Sequence, residues 1–175
     1  AQVGIKNGAS ITKVLDFVKE VRTVTQIPLV CMGYINNVLT YGMDKFVVDA
    51  KSSGLDGAII PDLPYEEAAK MTEICKKNEF SLINFVTPNT TKERIIETCK
   101  NADGFIYCVS VNGVTGVREI DYTPINEVVK IVKEQTDTPV AIGFGIGTPK
   151  AAKAASSVAD NIIVGSAVMQ KLMDE

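Results

Sequence analysis

Residues 139–149 read PVAIGFGIGTP, and this stretch decides the fold. It begins as a short apolar run, passes through three glycines and ends on Thr148-Pro149, a hydroxyl acceptor followed by proline, which is typical of a helix start. A second glycine turn, Gly165-Ser166, ends the next apolar run. Each turn joins a predicted strand to a predicted helix, so both stretches indicate βα units.

The same pattern recurs along the chain. Six short apolar runs, rich in β-branched or aromatic residues, alternate with segments of helical periodicity. The runs are Pro28–Tyr34, Gly57–Asp62, Ser81–Pro88, Gly104–Val111, Pro139–Ile146 and Asn161–Ser166. This alternation predicts an α/β fold with a parallel sheet.

Two architectures contain alternating βα units, the open doubly wound sheet and the closed (β/α)₈ TIM barrel. No G-x-G-x-x-G motif follows the first strand, and the glycine-rich turns come after the last two strands, where barrels bind phosphate. We therefore predict a TIM barrel. Because a whole barrel takes about 250 residues, we expect residues 1–175 to form a single partial-barrel domain holding about six of the eight βα units, strands 3 to 8.

Local signals predict the helix starts and the buried faces. Thr90 with Glu93 predicts a capping box, and Thr123-Pro124 predicts a hydroxyl N-cap followed by proline. Apolar residues at helical spacing predict two buried stripes. These are Ile125, Val128, Val129 and Val132 in one helix, and Ile11, Val14, Leu15 and Val18 in another.

The composition excludes several classes of function. A net charge of −3 and a pI near 5.1 give no basic surface for nucleic acid, and no apolar run approaches the roughly 20 residues of a membrane span. The four cysteines show no CxxC spacing and there is no histidine, so we expect no metal site and reduced thiols in a cytoplasmic protein. Proton transfer would have to use carboxylates or tyrosines.

Barrels carry their active groups at the carboxyl ends of strands, where this sequence places two glycine turns. Glycines let the backbone approach an oxyanion, and helix N-termini favour negative charge, so the turns predict a phosphate site. The alternative is that the glycines only permit tight turns. The long segment Asn112–Thr123, which contains Thr115, is interpreted as a lid, or else as a solvated polar loop.

Other strand-end residues suggest an aromatic ligand. Tyr34 and Tyr107 supply phenols beside apolar Met32, Ile59 and Phe85, a lining that suits an aromatic ring with a polar tail, although tyrosine also fills barrels. Asp62 is a lone carboxylate at a strand end, as suited to capping the next helix as to acting as a base. The strands contain no lysine, which disfavours a Schiff-base aldolase.

An ordered series of motifs runs through the chain. They are Gly33-Tyr34-Ile35-Asn36, Asp62-Leu63-Pro64, Pro88-Asn89, Gly113-Val114-Thr115-Gly116, Gly143-Phe144-Gly145-Ile146 and Gly165-Ser166-Ala167. In their order and spacing these motifs resemble those of the tryptophan synthase alpha chain family, and the resemblance covers essentially the whole length of the chain.

The resemblance implies a carbon–carbon lyase of tryptophan biosynthesis, which cleaves indole-3-glycerol phosphate by a retro-aldol reaction to indole and glyceraldehyde 3-phosphate. It also implies a pyridoxal-phosphate-dependent beta chain as partner in an α2β2 complex, and no cofactor in the alpha chain. By the resemblance, one group of residues binds phosphate, a second lines the indole pocket and a third supports catalysis. The phosphate group comprises Gly116, Phe144, Gly145, Gly165 and Ser166. The indole pocket comprises Met32, Tyr34, Ile59, Phe85 and Ile163. The residues that support catalysis are Tyr107 and Thr115.

The family's two catalytic carboxylates, a Glu and an Asp, belong to the second strand and the loop after it, which this sequence does not contain. We therefore expect the chain to be inactive alone. Two residues depart from those usual in the family. Phe105 in place of tyrosine removes a possible hydroxyl contact, and Val111 in place of arginine puts the anchoring of the lid in question. The alternatives are another phosphate-binding barrel isomerase or synthase, and a non-catalytic partial barrel that only binds phosphate or a partner.

Overall fold

The computed structural model describes residues 8–109 and 122–174. The chain forms two compact units, Ala1–Leu82 and Ile83–Glu175. Among the described residues, no helix is long and apolar enough to cross a membrane. The prediction of one domain over residues 1–175 stays a prediction.

The first unit is built around two parallel strands. β1 (Val30–Met32) pairs with β2 (Gly57–Ile59) in a register that sets Val30 beside Gly57 and Met32 beside Ile59. At the end of this unit, the N–H of Ser81 donates to the carbonyl of Asp56 at 2.9 Å. The helical segments are α1 (Ile11–Arg22), α2 (Ile35–Tyr41), α3 (Met43–Ser53), a 3₁₀ turn (Tyr65–Glu67) and α4 (Ala69–Lys77).

Helix α1 covers one side of the first unit's core. Ser10 caps it by accepting the N–H of Lys13 at 3.3 Å. Leu15 and Val18 of the predicted stripe are buried, but Val14 is 44% exposed, so the prediction was wrong for that residue. The stripe that faces the core is centred on Leu15 and Val18, and Val14 lies about 100° around the helix from Leu15.

The second unit contains most of β3 (Ser81–Val86), whose first two residues belong to the first unit, and three further strands. β4 (Ile106–Val109), β5 (Val140–Gly143) and β6 (Asn161–Ile163) follow in order, each parallel to the strand before it. The intervening and final helices are α5 (Lys92–Lys100), α6 (Thr123–Gln135), α7 (Pro149–Ser156) and α8 (Ser166–Met173). The predicted alternation of strands and helices is confirmed in both units.

The core of the second unit follows the predicted helical stripe. All four stripe residues of α6 are buried, and they pack with residues of β4 and β5 in one apolar cluster. Val132 of α6, Ile106 of β4 and Val140 of β5 have no exposed surface. The spacing at i, i+3, i+4 and i+7 therefore predicted the face of α6 that packs on the strands.

The cap of α5 differs from the prediction by one residue. Thr91, not Thr90, is the N-cap, and its hydroxyl accepts the N–H of Arg94 at 3.4 Å. Thr90 instead accepts the N–H of Thr87 at 2.9 Å, which closes the turn after β3. The hydroxyl of Thr90 is thus taken by a turn, a use for which threonine is equally suited.

Of the caps predicted for the next two helices, one was wrong and the other is confirmed. α6 begins at Thr123 with Tyr122 at the N-cap and no side-chain cap, so the predicted Thr123 cap was wrong by one position. Thr148 is the N-cap of α7, and its hydroxyl accepts the N–H of Ala151 at 3.2 Å, as predicted. Boundary differences of one residue are the ordinary precision of cap assignment.

An arginine holds the amino ends of the strands in the first unit. Asp56, just before β2, accepts the N–H of Leu29 at 2.8 Å and Nη2 of Arg22 at 2.7 Å. Arg22 also donates to the carbonyls of Ile27 and Gly54, at 2.6 and 2.7 Å. We call this group the first clasp, and it joins the end of α1 to the starts of β1 and β2.

A lysine takes the corresponding place in the second unit. Asp160, just before β6, accepts the N–H of Val140 at the start of β5 at 2.7 Å and pairs with Lys133 of α6. We call this group the second clasp. In both clasps a carboxylate before one strand holds an N–H at the start of the preceding strand, that of Leu29 just before β1 or that of Val140 in β5, which aligns the amino ends of two parallel strands.

Candidate active site

Three aromatic rings form a row at the carboxyl ends of the strands in the second unit. Phe85 of β3 stacks on Tyr107 of β4 with ring centroids 5.3 Å apart and planes 28° apart. Tyr107 contacts the ring of Phe144, just after β5, at 6.4 Å and 55°. Tyr107 is 6% exposed and Phe144 is 52% exposed, so the row leads from the buried core to the surface.

The ring of Tyr107 passes directly over Gly143. A Cβ built on Gly143 would lie 2.1 Å from Oη of Tyr107 and 2.5 Å from its Cζ. Only glycine leaves room for the ring, so Gly143 sets the position of Tyr107. Sequence reasoning included Gly143 only as part of a flexible turn, because the packing role depends on a neighbouring strand.

Burial also sets the protonation of Tyr107. It raises the pKa of the phenol above its ordinary value of 10.0. At neutral pH the phenol is therefore protonated and can donate a hydrogen bond, but it does not act as a base. The predicted supporting role of Tyr107 can therefore consist only of orienting a ligand or donating a hydrogen bond to it.

The predicted phosphate turn after β5 has an unusual backbone. Phe144 and Gly145 are both left-handed, with φ of +76° and +74°, and the N–H of Gly147 donates to the carbonyl of Gly145 at 3.1 Å. A left-handed conformation in a residue with a side chain costs about 1–3 kcal/mol and is found mostly at functional sites. The turn leads directly into α7, so the helix N-terminus follows it within a few residues.

The second glycine turn lies at the start of α8. The carbonyl of Gly165 accepts the N–H groups of Val168 and Met169, while the first N–H groups of the helix have no acceptor within it. Gly165 has φ of −109°, and a Cβ on it would meet no described atom within 4 Å. The described residues therefore leave room for a side chain at 165, whereas the positive φ of Gly145 favours glycine there.

Ile163 lies beside these groups. It is half-buried in β6 and is the register partner of Gly143 in β5. The second unit thus brings together the predicted residues Phe85, Tyr107, Phe144 and Ile163 along successive strand ends. Thr115, Gly116 and Val111, together with the predicted lid, lie outside the described residues.

The predicted residues of the first unit also come together. Met32 and Tyr34 are 60% and 61% exposed, Ile59 is buried, and all three line an apolar groove of about 710 Å³. The N–H of Gly33 donates to the carbonyl of Ile59 at 3.1 Å, which extends the pairing of β1 with β2. The side chains of Met32 and Tyr34 are available to a ligand in this unit.

Asp62 caps a helix, but not the one that sequence reasoning considered. Its Oδ1 accepts the N–H of Ile35 at 2.9 Å, at the start of α2. The helical turn that follows Asp62 begins after Pro64 and has no side-chain cap. The carboxylate therefore stabilises the preceding helix, which a sequence-local rule does not predict.

The thiols and carboxylates add no obvious nucleophile or metal site. Burial raises the pKa of Cys31 to about 11 and that of Cys108 to about 12, so both thiols are protonated at neutral pH. Within the described parts of the chain, no group of three or more His, Cys, Asp or Glu side chains is placed to hold a metal ion.

Comparison with known proteins bears on both the fold and the family. The family model described as the tryptophan synthase alpha chain matches residues 1–175. The tryptophan synthase alpha chain of Caldanaerobacter subterraneus subsp. tengcongensis is 41% identical over 172 residues, which is 98% of this chain and 65% of the relative. The chain thus spans slightly less than two thirds of the length of this relative.

Two solved structures are similar throughout the chain. Tryptophan synthase subunit alpha from Campylobacter jejuni has a TM-score of 0.86 at 34% identity, over 96% of this chain and 67% of its own. A chain of the tryptophan synthase α2β2 complex from Pyrococcus furiosus has a TM-score of 0.86 at 32% identity, over 95% and 67%. The predicted TIM-barrel class, with six parallel strands alternating with helices in the described residues, is confirmed. This chain belongs to the tryptophan synthase alpha chain family.

Proposed function

We propose that this chain provides the phosphate-binding part and much of the indole-binding part of an indole-3-glycerol-phosphate lyase. The observation that carries the proposal is the second unit's strand-end cluster, in which an aromatic row ends at a left-handed turn and a glycine-started helix. Because the chain belongs to the tryptophan synthase alpha chain family, we assign to this cluster the binding of an aromatic ring with a phosphate tail.

The phosphate is assigned to Phe144, Gly145, Gly165 and Ser166, with Gly116 assigned by the resemblance alone. The first N–H groups of α8, which have no acceptor within the helix, and the positive end of its helix dipole favour a dianion. Gly165 supports this assignment because the described residues leave open the space where its Cβ would lie, which a ligand oxygen can enter.

The indole ring is assigned to apolar and aromatic side chains. Phe85, Tyr107 and Ile163 of the second unit supply a flat, largely buried lining. Met32, Tyr34 and Ile59 of the first unit are assigned to the same ring by the resemblance, supported by the exposure of Met32 and Tyr34. Rings stacked on aromatic side chains gain about 0.5–1.5 kcal/mol beyond area burial.

In the proposed reaction the glycerol hydroxyl next to the indole loses a proton while the adjacent indole ring carbon gains one. The bond between the carbon that bears this hydroxyl and the indole ring carbon breaks, which releases indole and glyceraldehyde 3-phosphate. By the resemblance, the Glu that moves these protons and the Asp that holds the indole N–H are not in this sequence. Tyr107 and Thr115 are proposed as supporting groups, and the chain alone is proposed to bind without turnover.

The proposed partner is a tryptophan synthase beta chain. A structural relative from Pyrococcus furiosus comes from an α2β2 complex. The proposed location is the cytoplasm, where its thiols, none of which forms a disulfide in the described residues, would remain reduced.

A calorimetric titration tests the binding part of the proposal. The chain is titrated with a stable indole-alkyl phosphate, and with an indole-free alkyl phosphate and inorganic phosphate as controls. We expect the indole compound to bind at least about 10-fold more tightly than the alkyl phosphate, a difference of about 1.4 kcal/mol. Gly145→Asp should abolish binding of all three ligands because it sets a carboxylate against the phosphate.

Gly104→Asp is the matched control for that variant. Gly104 has nearly the same backbone conformation, with φ of +68°, but precedes β4 rather than following a strand. It should leave binding unchanged. Equal affinity of the wild-type chain for the indole and alkyl compounds would refute the indole assignment.

Catalysis is tested by joining this chain to the N-terminal part of a relative's alpha chain and assaying indole release from indole-3-glycerol phosphate. Indole formation supports the lyase. A folded but inactive fusion favours a partial barrel that only binds. The isomerase or synthase alternative is disfavoured because the six described strands contain no lysine or carboxylate.

A further inference from the structure

The turn between β1 and α2 is tied to β2 on both sides of Tyr34. On one side the N–H of Gly33 donates to the carbonyl of Ile59 at 3.1 Å. On the other side the N–H of Ile35 donates to Oδ1 of Asp62 at 2.9 Å. Tyr34 is therefore held between two backbone anchors from the neighbouring strand and the loop after it.

Asp62 supplies a capping hydrogen bond at the start of α2 that the N-cap residue of the helix does not provide. The N-cap residue of α2 is Tyr34, whose side chain makes no capping hydrogen bond. A carboxylate at a helix N-terminus also interacts favourably with the helix dipole. Asp62 is held in place by its own turn, in which the N–H of Leu63 donates to the carbonyl of Ile60 at 3.2 Å.

The exposure of Tyr34 leaves the backbone as the main constraint on the phenol. The residue is 61% exposed, so the described packing leaves most of its surface uncovered. A carboxylate that fixes the next backbone N–H fixes the Cα–Cβ bond of Tyr34, and with it the point from which the ring extends.

We propose that Asp62 is a positioning residue that orients Tyr34 toward the indole ring without touching the substrate. This inference rests on the proposed function, because it gives Tyr34 its role there. It assigns the carboxylate after β2 to the geometry of the binding site rather than to acid–base chemistry.

The test combines hydrogen exchange with calorimetry on the chain itself. Asp62→Ala should increase amide exchange at Ile35 and lower the affinity for the indole-alkyl phosphate by about 5- to 10-fold, as expected for a lost charge-assisted hydrogen bond. The affinity for the indole-free alkyl phosphate should stay unchanged. Asp62→Asn keeps an oxygen acceptor and should restore the affinity to within about twofold.

Two further variants separate positioning from general stability. Asp44→Ala removes an exposed carboxylate from the first turn of α3 in the same unit and should change neither exchange at Ile35 nor affinity. In a Tyr34→Ala background, Asp62→Ala should have no additional effect on affinity, because Asp62 acts through Tyr34.

The outcomes are distinguishable. An additive double variant, or an equal loss for both phosphates, would overturn the positioning role while leaving the proposed function intact. Unchanged exchange at Ile35 in Asp62→Ala would overturn it as well. If the wild-type chain shows no preference for the indole compound, the proposed function fails and this inference fails with it.

Discussion

In the second unit, the amino ends of β5 and β6 meet at a carboxylate and a lysine, whereas the carboxyl ends of β4 and β5 meet at a ring and a glycine. At the amino ends, polar side chains satisfy backbone N–H groups and remain partly in water. At the carboxyl ends, a buried phenol leaves no space for even a methyl group. The amino ends of the strands therefore tolerate substitution and serve stability. The carboxyl ends do not tolerate it, and they carry the proposed site.

The first unit repeats the polar arrangement with a stronger cation. Arg22 is 15% exposed at its side chain and donates to two carbonyls as well as to Asp56, whereas Lys133 is 37% exposed at its side chain. The rigid guanidinium fork binds three groups at once, which an ammonium on a flexible chain does less well. Both clasps therefore align the amino ends of two parallel strands, and the cation of the first clasp makes more hydrogen bonds than that of the second.

Gly143→Ala tests the carboxyl ends of the strands and is expected to have the largest effect. Because the new Cβ would lie 2.1 Å from the Tyr107 hydroxyl oxygen, the ring must move. We expect the free energy of unfolding in urea to fall by about 3 kcal/mol, the upper part of the usual range for overpacking. The affinity for the indole-alkyl phosphate should fall by about 100-fold, or about 2.7 kcal/mol.

Gly147→Ala is the stability control for that change, since a Cβ on Gly147 would meet no described atom within 4 Å. Adding Tyr107→Ala to Gly143→Ala removes the ring and should recover part of the lost stability but not the affinity for the indole compound. A Gly143→Ala chain with wild-type stability would show that the ring has space to move.

Arg22→Ala tests the first clasp and should affect stability alone. It removes three hydrogen bonds made by a side chain that is only 15% exposed, so we expect the free energy of unfolding to fall by about 2 kcal/mol. Arg22→Lys should lose roughly half as much, because it resembles the second clasp. Phosphate affinity by calorimetry should not change.

Lys19→Ala is the control on the same helix. It removes an exposed lysine whose ion pair with Asp16 is also exposed, and it should change stability by less than about 0.5 kcal/mol. A fall in phosphate affinity in Arg22→Ala would contradict the separation of the two strand ends.

Gly165→Ala should produce the reverse result, a loss of binding without a loss of stability. A Cβ there meets no described atom within 4 Å, and φ of −109° lies outside the left-handed region that favours glycine. We expect about a 10-fold weaker affinity for alkyl phosphate, or about 1.4 kcal/mol, if the glycine admits a ligand oxygen. Unchanged affinity would mean that the ligand does not approach this glycine.

The smallest expected effect belongs to the second clasp and depends on pH. Lys133 and the N–H of Val140 hold the pKa of Asp160 below its ordinary value. A carboxyl whose folded pKa is lowered stabilises the fold above its unfolded pKa, about 3.9, and loses that contribution as pH falls through the folded value. Lys133→Ala should therefore cost less than about 1 kcal/mol near neutral pH, since the pair is partly exposed.

The difference between wild type and Lys133→Ala in urea midpoint should be constant above about pH 5 and should shrink between about pH 5 and about pH 2, as the pH falls through the lowered folded pKa of Asp160. A difference that is constant over this range would mean that Lys133 acts through packing of its aliphatic chain rather than through Asp160.

Local patterns predicted most of the fold. Each of the six described strands lies inside a predicted apolar run, but runs extend past strands, as Gly57–Asp62 does past Gly57–Ile59. The capping error at Thr90 arose because two neighbouring hydroxyls, those of Thr90 and Thr91, offer alternative caps. Thr123 is itself the first residue of α6, after Tyr122 at the N-cap.

The sequence by itself determined the alternation of strands and helices, the buried face of α6 and the places of the two glycine turns. These follow from periodicity and turn chemistry among residues close in the chain. Only the tertiary structure decided that Asp62 caps a helix 27 residues earlier, that Arg22 reaches Asp56 34 residues later, and that Gly143 makes room for Tyr107. The physical reason is that parallel strands bring together residues far apart in sequence, and no local pattern records which side chains then meet.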